Sequence, residues 1–167
     1  FSNNEIDLSN WIININSNFF TIPKNTILSG NHITRISGDA LGIATSTSIL
    51  WKDKKFLVDA SPDFRAQALR FGIHQIDGIL FTHAHNDHIG GMDDLRVYSL
   101  MSEKKIPCLL SEDTLGGIRK RYHYLLHADA KDGKITSKFH FHTLPTEAGA
   151  IVFEGMHVHF VTYHQST

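Results

Sequence analysis

Residues 81–91 read FTHAHNDHIGG, and this stretch, here called the histidine loop, decides the interpretation of the whole chain. Within six residues it carries four side chains able to ligate a metal: His83, His85, Asp87 and His88. Imidazole and carboxylate donors suit borderline divalent ions, Zn²⁺ first and Mn²⁺ or Fe²⁺ as alternatives. An apolar run precedes the loop and two glycines end it, so we expect a metal site at the C-terminal edge of a sheet.

The spacing of the four side chains predicts two directions of ligation. Residues two apart in an extended segment point to the same side, so His83, His85 and Asp87 should face one way and His88 another. Two metals close together can hold a hydroxide between them and clamp a phosphoryl or acyl centre. The order H-x-H-x-D-H is therefore much more specific than a single histidine in a loop.

Strand and helix signals alternate around the histidine loop. Strands are predicted for TSTSILW, KKFLVDA, IDGILFT and IPCLLS, and helices for SPDFRAQALRFG, MDDLRVYSLMSEKK and EDTLGGIRKRYHYLLHA. Ser61 is the expected N-cap of the first helix, with Pro62 at its first position. Residues 1–40 indicate edge strands and loops, and SKFHFHTLP and AIVFEGMHVHFVTYH indicate further strands. The pattern predicts one α/β domain with a mixed sheet, spanning residues 1–167.

Composition narrows the class of protein. A net charge of −1 gives no global attraction to nucleic acid or to an anionic membrane, and the short cluster Arg119-Lys120-Arg121 is typical of a solvated helix face. No apolar run approaches the ~18–20 residues of a membrane span, and no signal peptide is recognisable at the start of the sequence, so we expect a cytoplasmic protein. The single cysteine, Cys108, excludes a disulfide framework and fits a buried core position.

The stretch THAHNDHIGG resembles the T-H-x-H-x-D-H-x-x-G signature of the metallo-β-lactamase-fold hydrolases. Residues 57–96 and 105–126 are similar to a subgroup close to the phosphoribosyl cyclic-phosphate phosphodiesterases. The resemblance covers about residues 45–127 and the region around 156–167. It implies a metallo-β-lactamase-like αββα sandwich. The family pattern continues beyond the last histidine of this sequence, so we expect the C-terminal part of the domain to be missing.

The resemblance also implies a role for each site residue. His83, His85 and His164 would bind a first metal, and Asp87 and His88 a second. Asp59 matches an early aspartate that supports the metal loop, and Asp59 or Asp87 would orient the attacking water. The family's bridging aspartate and last histidine have no counterpart here. The other histidines fit sheet positions or a solvated helix face: His140, His142, His157 and His159 on strands, and His123 and His127 on a helix.

The function implied is hydrolysis of a small-molecule phosphodiester, cyclic or nucleotide-like, by a hydroxide bound to two divalent ions. A thioester hydrolase or a nuclease of the same fold is the alternative within the enzyme class. A β-lactamase would normally be exported, which the missing signal peptide disfavours. From another class comes a non-catalytic or incomplete metal-binding domain. We expect no membrane partner, regard nucleic acid as disfavoured, and leave a homodimer open.

Overall fold

A computed structural model describes the backbone of residues 12–14, 27–28, 31–37 and 45–51, the side chains of Ser48 and Ile49, and residues 53–126 and 138–161 in full. The strands are β1 (Ile12–Asn14), β2 (Ile27–Leu28), β3 (Asn31–Ser37), β4 (Thr45–Trp51), β5 (Lys54–Val58), β6 (Gly78–Leu80), β7 (Ile106–Leu110), β8 (Phe139–Thr143), β9 (Ala148–Phe153) and β10 (Met156–Val161). The helices are α1 (Phe64–Arg70), α2 (Asn86–Ile89), α3 (Met92–Ser102), α4 (Glu112–Arg121) and α5 (His123–Leu126).

Seven strands form one mixed sheet in the order β2-β3-β4-β5-β6-β7-β8. The first four are joined antiparallel, and β5 to β8 are parallel. Parallel strands need a crossover connection, and helices α1 to α5 lie in the segments that link β5, β6, β7 and β8. This part of the sheet places the ends of β5, β6 and β7 at a common edge.

Side chains alternate across the parallel strands between two cores. Leu57, Ile79 and Cys108 point to the core shared with the helices, where Phe64, Leu95, Leu115 and Ile118 meet them. Their neighbours Phe56, Val58, Leu80 and Leu109 point to the opposite face. A sheet buried on both faces is typical of parallel strands covered by two layers. The fully buried Cys108 confirms the core position expected for the single cysteine.

The second layer is a three-stranded sheet in the order β1-β10-β9. Along β10, Met156, Val158 and Phe160 are buried against the large sheet, whereas His157 and His159 are exposed. The described residues thus form three layers, helices on a seven-stranded sheet on a three-stranded sheet, which confirms the α/β class. Among these residues no helix is long and apolar enough to cross a membrane.

The first helix begins later than expected. The N-cap of α1 is Asp63, not Ser61, and Pro62 lies in the turn before the helix. The backbone of this turn is already engaged, since the Ala60 amide donates to the carbonyl of His88 and the Ala60 carbonyl accepts from Gly91. These bonds tie Ala60 to the histidine loop, and the Ser61 carbonyl accepts from the Phe64 amide in a turn that precedes the helix.

The helix expected over EDTLGGIRKRYHYLLHA is divided at Tyr122. Its backbone leaves the helical region between α4 and α5, at φ −114° and ψ 34°. The buried Tyr122 hydroxyl donates to the Ile89 carbonyl at 2.9 Å, which holds the residue against the end of α2. His123 begins α5, while His127 lies outside the described residues, so their expected pairing on one helix face stays a prediction.

Candidate metal centre

The histidine loop begins where β6 ends, at the edge shared with the ends of β5 and β7. Phe81 is fully buried, and its amide still donates to the Leu109 carbonyl of β7 at 2.9 Å. Thr82 follows, and the chain then leaves the sheet with His83 as the first histidine. The site therefore lies at the C-terminal edge of the parallel strands, where the sequence placed it.

The loop is not extended over its whole length. Asn86–Ile89 form the short helix α2, with His85 as its N-cap. This turn carries His88 back toward His83, and their ring centroids are 3.9 Å apart. The ring centroids of His85 and His83 are 4.6 Å apart. The expectation that His88 points away from the other histidines is therefore wrong, because a helical turn replaces the extended conformation after His85.

Asp59 lies beneath the loop, directly after β5, and is 3% exposed. One carboxylate oxygen accepts from the Thr82 amide at 2.8 Å. The other accepts from the Thr82 hydroxyl at 2.7 Å and lies 2.7 Å from Nδ1 of His88. The backbone of Asp59 has φ +60°, a left-handed conformation that aspartate and asparagine adopt more readily than most residues. Asp59 thus fixes the start and the end of the loop together.

The charge of this buried pair follows from its contacts. Burial raises the pKa of Asp59, although the hydrogen bonds from His88 and Thr82 oppose that rise. Burial lowers the pKa of His88, but the hydrogen bond and charge of Asp59, with those of Asp87, outweigh it, and the pKa of His88 is raised. Both pKa shifts concern the single proton that Asp59 and Nδ1 of His88 share. We place it on Nδ1 of His88, because the carboxylate already accepts two hydrogen bonds from Thr82, which favour its ionised form.

His83 stays neutral at pH 7. Burial, with the neighbouring His88 and His85 rings, lowers the pKa of His83 to about 4. Its Nδ1 lies 3.0 Å from the Thr82 hydroxyl. A neutral imidazole with one nitrogen oriented by a hydrogen bond is the form in which histidine ligates metals.

Asp87 is exposed, with 60% of its side chain accessible, and its carboxylate lies 3.2 Å from Nε2 of His88. Within the described residues no three histidine, cysteine or acidic side chains are already arranged to hold a metal ion. The donor set nevertheless fits one by its chemistry: a neutral His83, a His88 whose Nδ1 faces a carboxylate, and the accessible Asp87. His164 lies outside the described residues, so its role, like the metal roles of the others, stays a prediction.

The two glycines that end the loop are required for space. A Cβ on Gly90 would lie 2.6 Å from the Asn86 carbonyl oxygen, and one on Gly91 would lie 2.5 Å from that of Ser61. Neither residue has a positive φ, so the absence of a side chain matters here, and not left-handed geometry. The missing side chains thus let Pro62, just before α1, and Phe64, at its start, approach the loop closely.

Sequence reasoning missed how α4 packs on the histidine loop. The Thr114 hydroxyl lies 3.5 Å from the Thr82 carbonyl oxygen, and a Cβ on Gly117 would lie only 2.4 Å from that of Ala84. At the end of the helix, Nη1 of Arg121 donates to Oδ1 of Asn86 at 3.4 Å. Arg119, Lys120 and Arg121 are all exposed, but Arg121 differs because it reaches the loop. A glycine and polar residues spaced along one helical face were the available signal.

Four further histidines occupy sheet positions, as expected. His157 and His159 are exposed on β10. His140 and His142 are neighbours on one face of β8, and the ring of His142 packs against Phe153 at 5.7 Å. Asp93 forms an ion pair with Arg96 at 3.8 Å.

Comparison with known proteins places this geometry in a family. Residues 54–166 match the family described as "Beta-lactamase superfamily domain". A solved structure described as a new diphosphatase from the PhnP family superimposes with a TM-score of 0.54 and 27% identity, over 70% of this chain and 47% of that one.

Two curated proteins are similar over shorter stretches. An octanoyltransferase of Porphyromonas gingivalis (strain ATCC BAA-308 / W83) is 41% identical over 80 residues, 48% of this chain and 16% of that protein. The anti-Pycsar protein Apyc1 of Bacillus phage vB_BsuM-Goe3 is 41% identical over 46 residues, 26% of this chain and 18% of that protein. The chain thus spans less than a fifth of these two proteins and about half of the solved one. The family match covers more than half of the chain and includes the histidine loop, so this chain belongs to the beta-lactamase superfamily and has the metallo-β-lactamase fold.

Proposed function

We propose that the protein hydrolyses a small phosphodiester with the help of two divalent metal ions held at the histidine loop. The observation that carries the proposal is the network in which Asp59 contacts both Thr82 and His88, because it fixes the superfamily loop with its histidine rings gathered at one sheet edge. The similarity to a diphosphatase supports phosphorus as the reacting centre. Because this similarity spans 47% of that protein, it does not show the substrate class of this chain, which is therefore part of the proposal.

Five residues of the sequence are the proposed ligands of the two metal ions. His83, His85 and His164 would hold the first ion, and Asp87 and His88 the second. Such ions, when bound, supply Lewis acidity, lower the pKa of a coordinated water and offset charge at the phosphoryl group. Zn²⁺ suits this donor set best, with Mn²⁺ and Fe²⁺ as alternatives.

The chain's own residues prepare the site. Asp59 accepts a hydrogen bond from the protonated Nδ1 of His88 and so leaves Nε2 of that ring on the side of Asp87. Fixing the tautomer of a ligand through its second nitrogen also orients the ring and raises its basicity. Asp87, exposed at the mouth of the loop, is the carboxylate that can orient a water molecule toward the substrate.

A thioester hydrolase is the second candidate. Its support is the similarity to the octanoyltransferase, whose name describes acyl transfer. We rank it second because the matched stretch makes up only 16% of that protein. The non-catalytic alternative would require a single structural metal, for which the second pair, Asp87 and His88, has no use.

The test compares the metal-loaded protein with its His85→Ala variant. We expect hydrolysis of bis(p-nitrophenyl) phosphate, a loss of at least about 100-fold in the variant, and no turnover of an acyl-coenzyme A thioester. Elemental analysis after dialysis should find two ions per chain in the wild type. An unchanged rate in the variant would refute the role of the loop, and preferred turnover of the thioester would replace the phosphodiester proposal with its rival.

A further inference from the structure

One face of α4 packs against the histidine loop. Thr114, Gly117 and Arg121 are three and four residues apart, so they lie within about 60° of one another around a helix of 3.6 residues per turn. Thr114 and Gly117 contact the start of the loop, at Thr82 and Ala84, and Arg121 contacts its middle. This face therefore positions a cation beside the loop.

The position of Arg121 is fixed from both sides. The start of α4 is capped by Ser111, whose hydroxyl accepts from the Thr114 amide at 3.2 Å. In the middle of the helix, Gly117 allows contact with Ala84 that no larger residue would permit. Just after the helix, the hydroxyl of Tyr122 donates to the Ile89 carbonyl. The backbone that carries Arg121 is thus held to the histidine loop by contacts in the middle of α4 and just after its end.

The guanidinium of Arg121 contacts the residue that separates two of the predicted metal ligands in the sequence. Its partner, Asn86, is the residue between His85 and Asp87. Among the ion pairs formed within residues 53–126 and 138–161, none involves Arg121. Arg119, two residues earlier on the same helix, differs because it pairs with Glu112 at 3.4 Å. Within these residues no carboxylate pairs with Arg121, so its guanidinium is available to an anionic group at the histidine loop.

We propose that Arg121 binds a second phosphate of the substrate, so that the preferred substrates are diphosphate diesters and not isolated phosphodiesters. The inference rests on the proposed function and specifies its substrate class. A guanidinium is planar and can donate two parallel hydrogen bonds to phosphate oxygens, and its bond to a neutral amide oxygen is readily exchanged for a bond to an anion. One phosphate would lie at the histidine loop and the adjacent one at Arg121.

The reaction would cleave the bridge between the two phosphates. The oxygen of a water molecule bonds to one phosphorus, and the bond between that phosphorus and the bridging oxygen breaks. Two phosphate monoesters result, and each keeps one of the two protons of the water. Arg121 holds the phosphate that leaves, whose negative charge grows as the bridge breaks.

The test uses diadenosine 5′,5′-diphosphate, which carries two adjacent phosphates, and bis(p-nitrophenyl) phosphate, which carries one. We expect Arg121→Gln to raise KM for the diphosphate about 10-fold to 100-fold, the range for loss of a charge-assisted bond. The ratio of kcat/KM for the diphosphate to that for the monophosphate should fall at least about 10-fold. Arg121→Lys, which keeps the charge but not the planar fork, should recover part of this loss. Arg119→Gln is the matched control, and we expect it to leave KM and kcat/KM unchanged for both substrates.

A binding measurement separates this inference from the proposed function. Calorimetric titration with the methylene-bridged analogue of the diphosphate should show weaker binding by Arg121→Gln than by wild type, even in a preparation without turnover. Equal affinity of the two proteins for the analogue, or an equal loss on both substrates, would overturn the role of Arg121. If the wild-type protein binds the analogue through Arg121 but hydrolyses neither substrate, the proposed function is refuted, whereas the role of Arg121 in binding is not.

Discussion

Two adjacent glycines in α4 should respond to the same substitution in opposite ways. A Cβ on Gly116 would meet no atom within 4 Å, whereas one on Gly117 would lie 2.4 Å from the Cβ of Ala84. Carbon atoms without a bond between them prefer separations of about 3.5–4.0 Å, so the second contact is roughly 1.1–1.6 Å too short. The helix or the histidine loop must move to admit the methyl group.

The magnitude follows from two opposing terms. Replacing a helical glycine by alanine stabilises the folded chain by about 0.5–1 kcal/mol, and this gain applies at both positions. Overpacking a contact that cannot relax freely costs about 1–3 kcal/mol, and this cost applies only at position 117. We expect Gly116→Ala to raise the free energy of unfolding and Gly117→Ala to lower it relative to Gly116→Ala by about 1–3 kcal/mol.

Urea denaturation of the two variants measures this difference directly, since the slopes should match and only the midpoints should move. A double variant, Ala84→Gly with Gly117→Ala, moves the methyl group from one side of the contact to the other. It should recover most of the cost, giving a coupling free energy of about 1–3 kcal/mol between the two sites. Equal stability of the two alanine variants would show that α4 does not press on the histidine loop, and would remove the basis for placing Arg121 there.

Three further predictions concern the network around the loop. Asp59→Ala should destabilise the chain by about 2–4 kcal/mol in urea and abolish metal uptake in elemental analysis, because it leaves Thr82 and His88 without their acceptor and strains a left-handed backbone. Asp59→Asn, which tolerates that backbone and keeps one oxygen acceptor, should cost less, and equal losses would refute this explanation. The lowered pKa of His83 means that the unfolded chain binds more protons between pH 6.5 and about 4, so the urea midpoint of the metal-free protein should fall as pH drops through that window. The urea midpoint of His83→Asn should fall less over the same pH window. A midpoint that depends on pH as strongly in this variant as in wild type would show that the effect does not come from His83. Tyr122→Phe should cost about 0.5–1.5 kcal/mol in thermal or urea unfolding by removing the hydrogen bond to Ile89, and a neutral result would mean that water replaces the hydroxyl.

The order H-x-H-x-D-H and the strand before it were sufficient to predict the sheet edge and the family. Asp59 also followed from the sequence, but only through resemblance, because its contacts with Thr82 and His88 bridge 23 and 29 residues. No local sequence pattern predicts a contact between residues that are so far apart along the chain. The position of a buried carboxylate relative to a loop depends on which strands are neighbours, and β5 and β6 become neighbours only once the crossover through α1 is made.

The errors have local physical causes. Periodicity predicted a single helix through Tyr122, but one buried hydroxyl with a distant carbonyl partner changes the backbone there. Alternation predicted an extended loop through Asp87, but the chain enters a helical turn after His85. The expectation of a solvated helix face agrees with the exposure of Arg119, Lys120 and Arg121, but it did not include the contact that Arg121 makes with Asn86 of the loop.

The positions of Asp59 and Arg121 along the chain bear on how the site assembles. The hydrogen bonds that hold the histidine loop come from residues 59–122, a continuous run that includes helices α1 to α4 and strands β6 and β7. Closing a flexible segment costs entropy that grows only logarithmically with its length, so the 29 residues between Asp59 and His88 oppose closure little. Contacts between near neighbours in sequence also form fastest in folding chains. We therefore expect the network beneath the loop to form while a nascent chain is still emerging from the ribosome, before β9 and β10 are available.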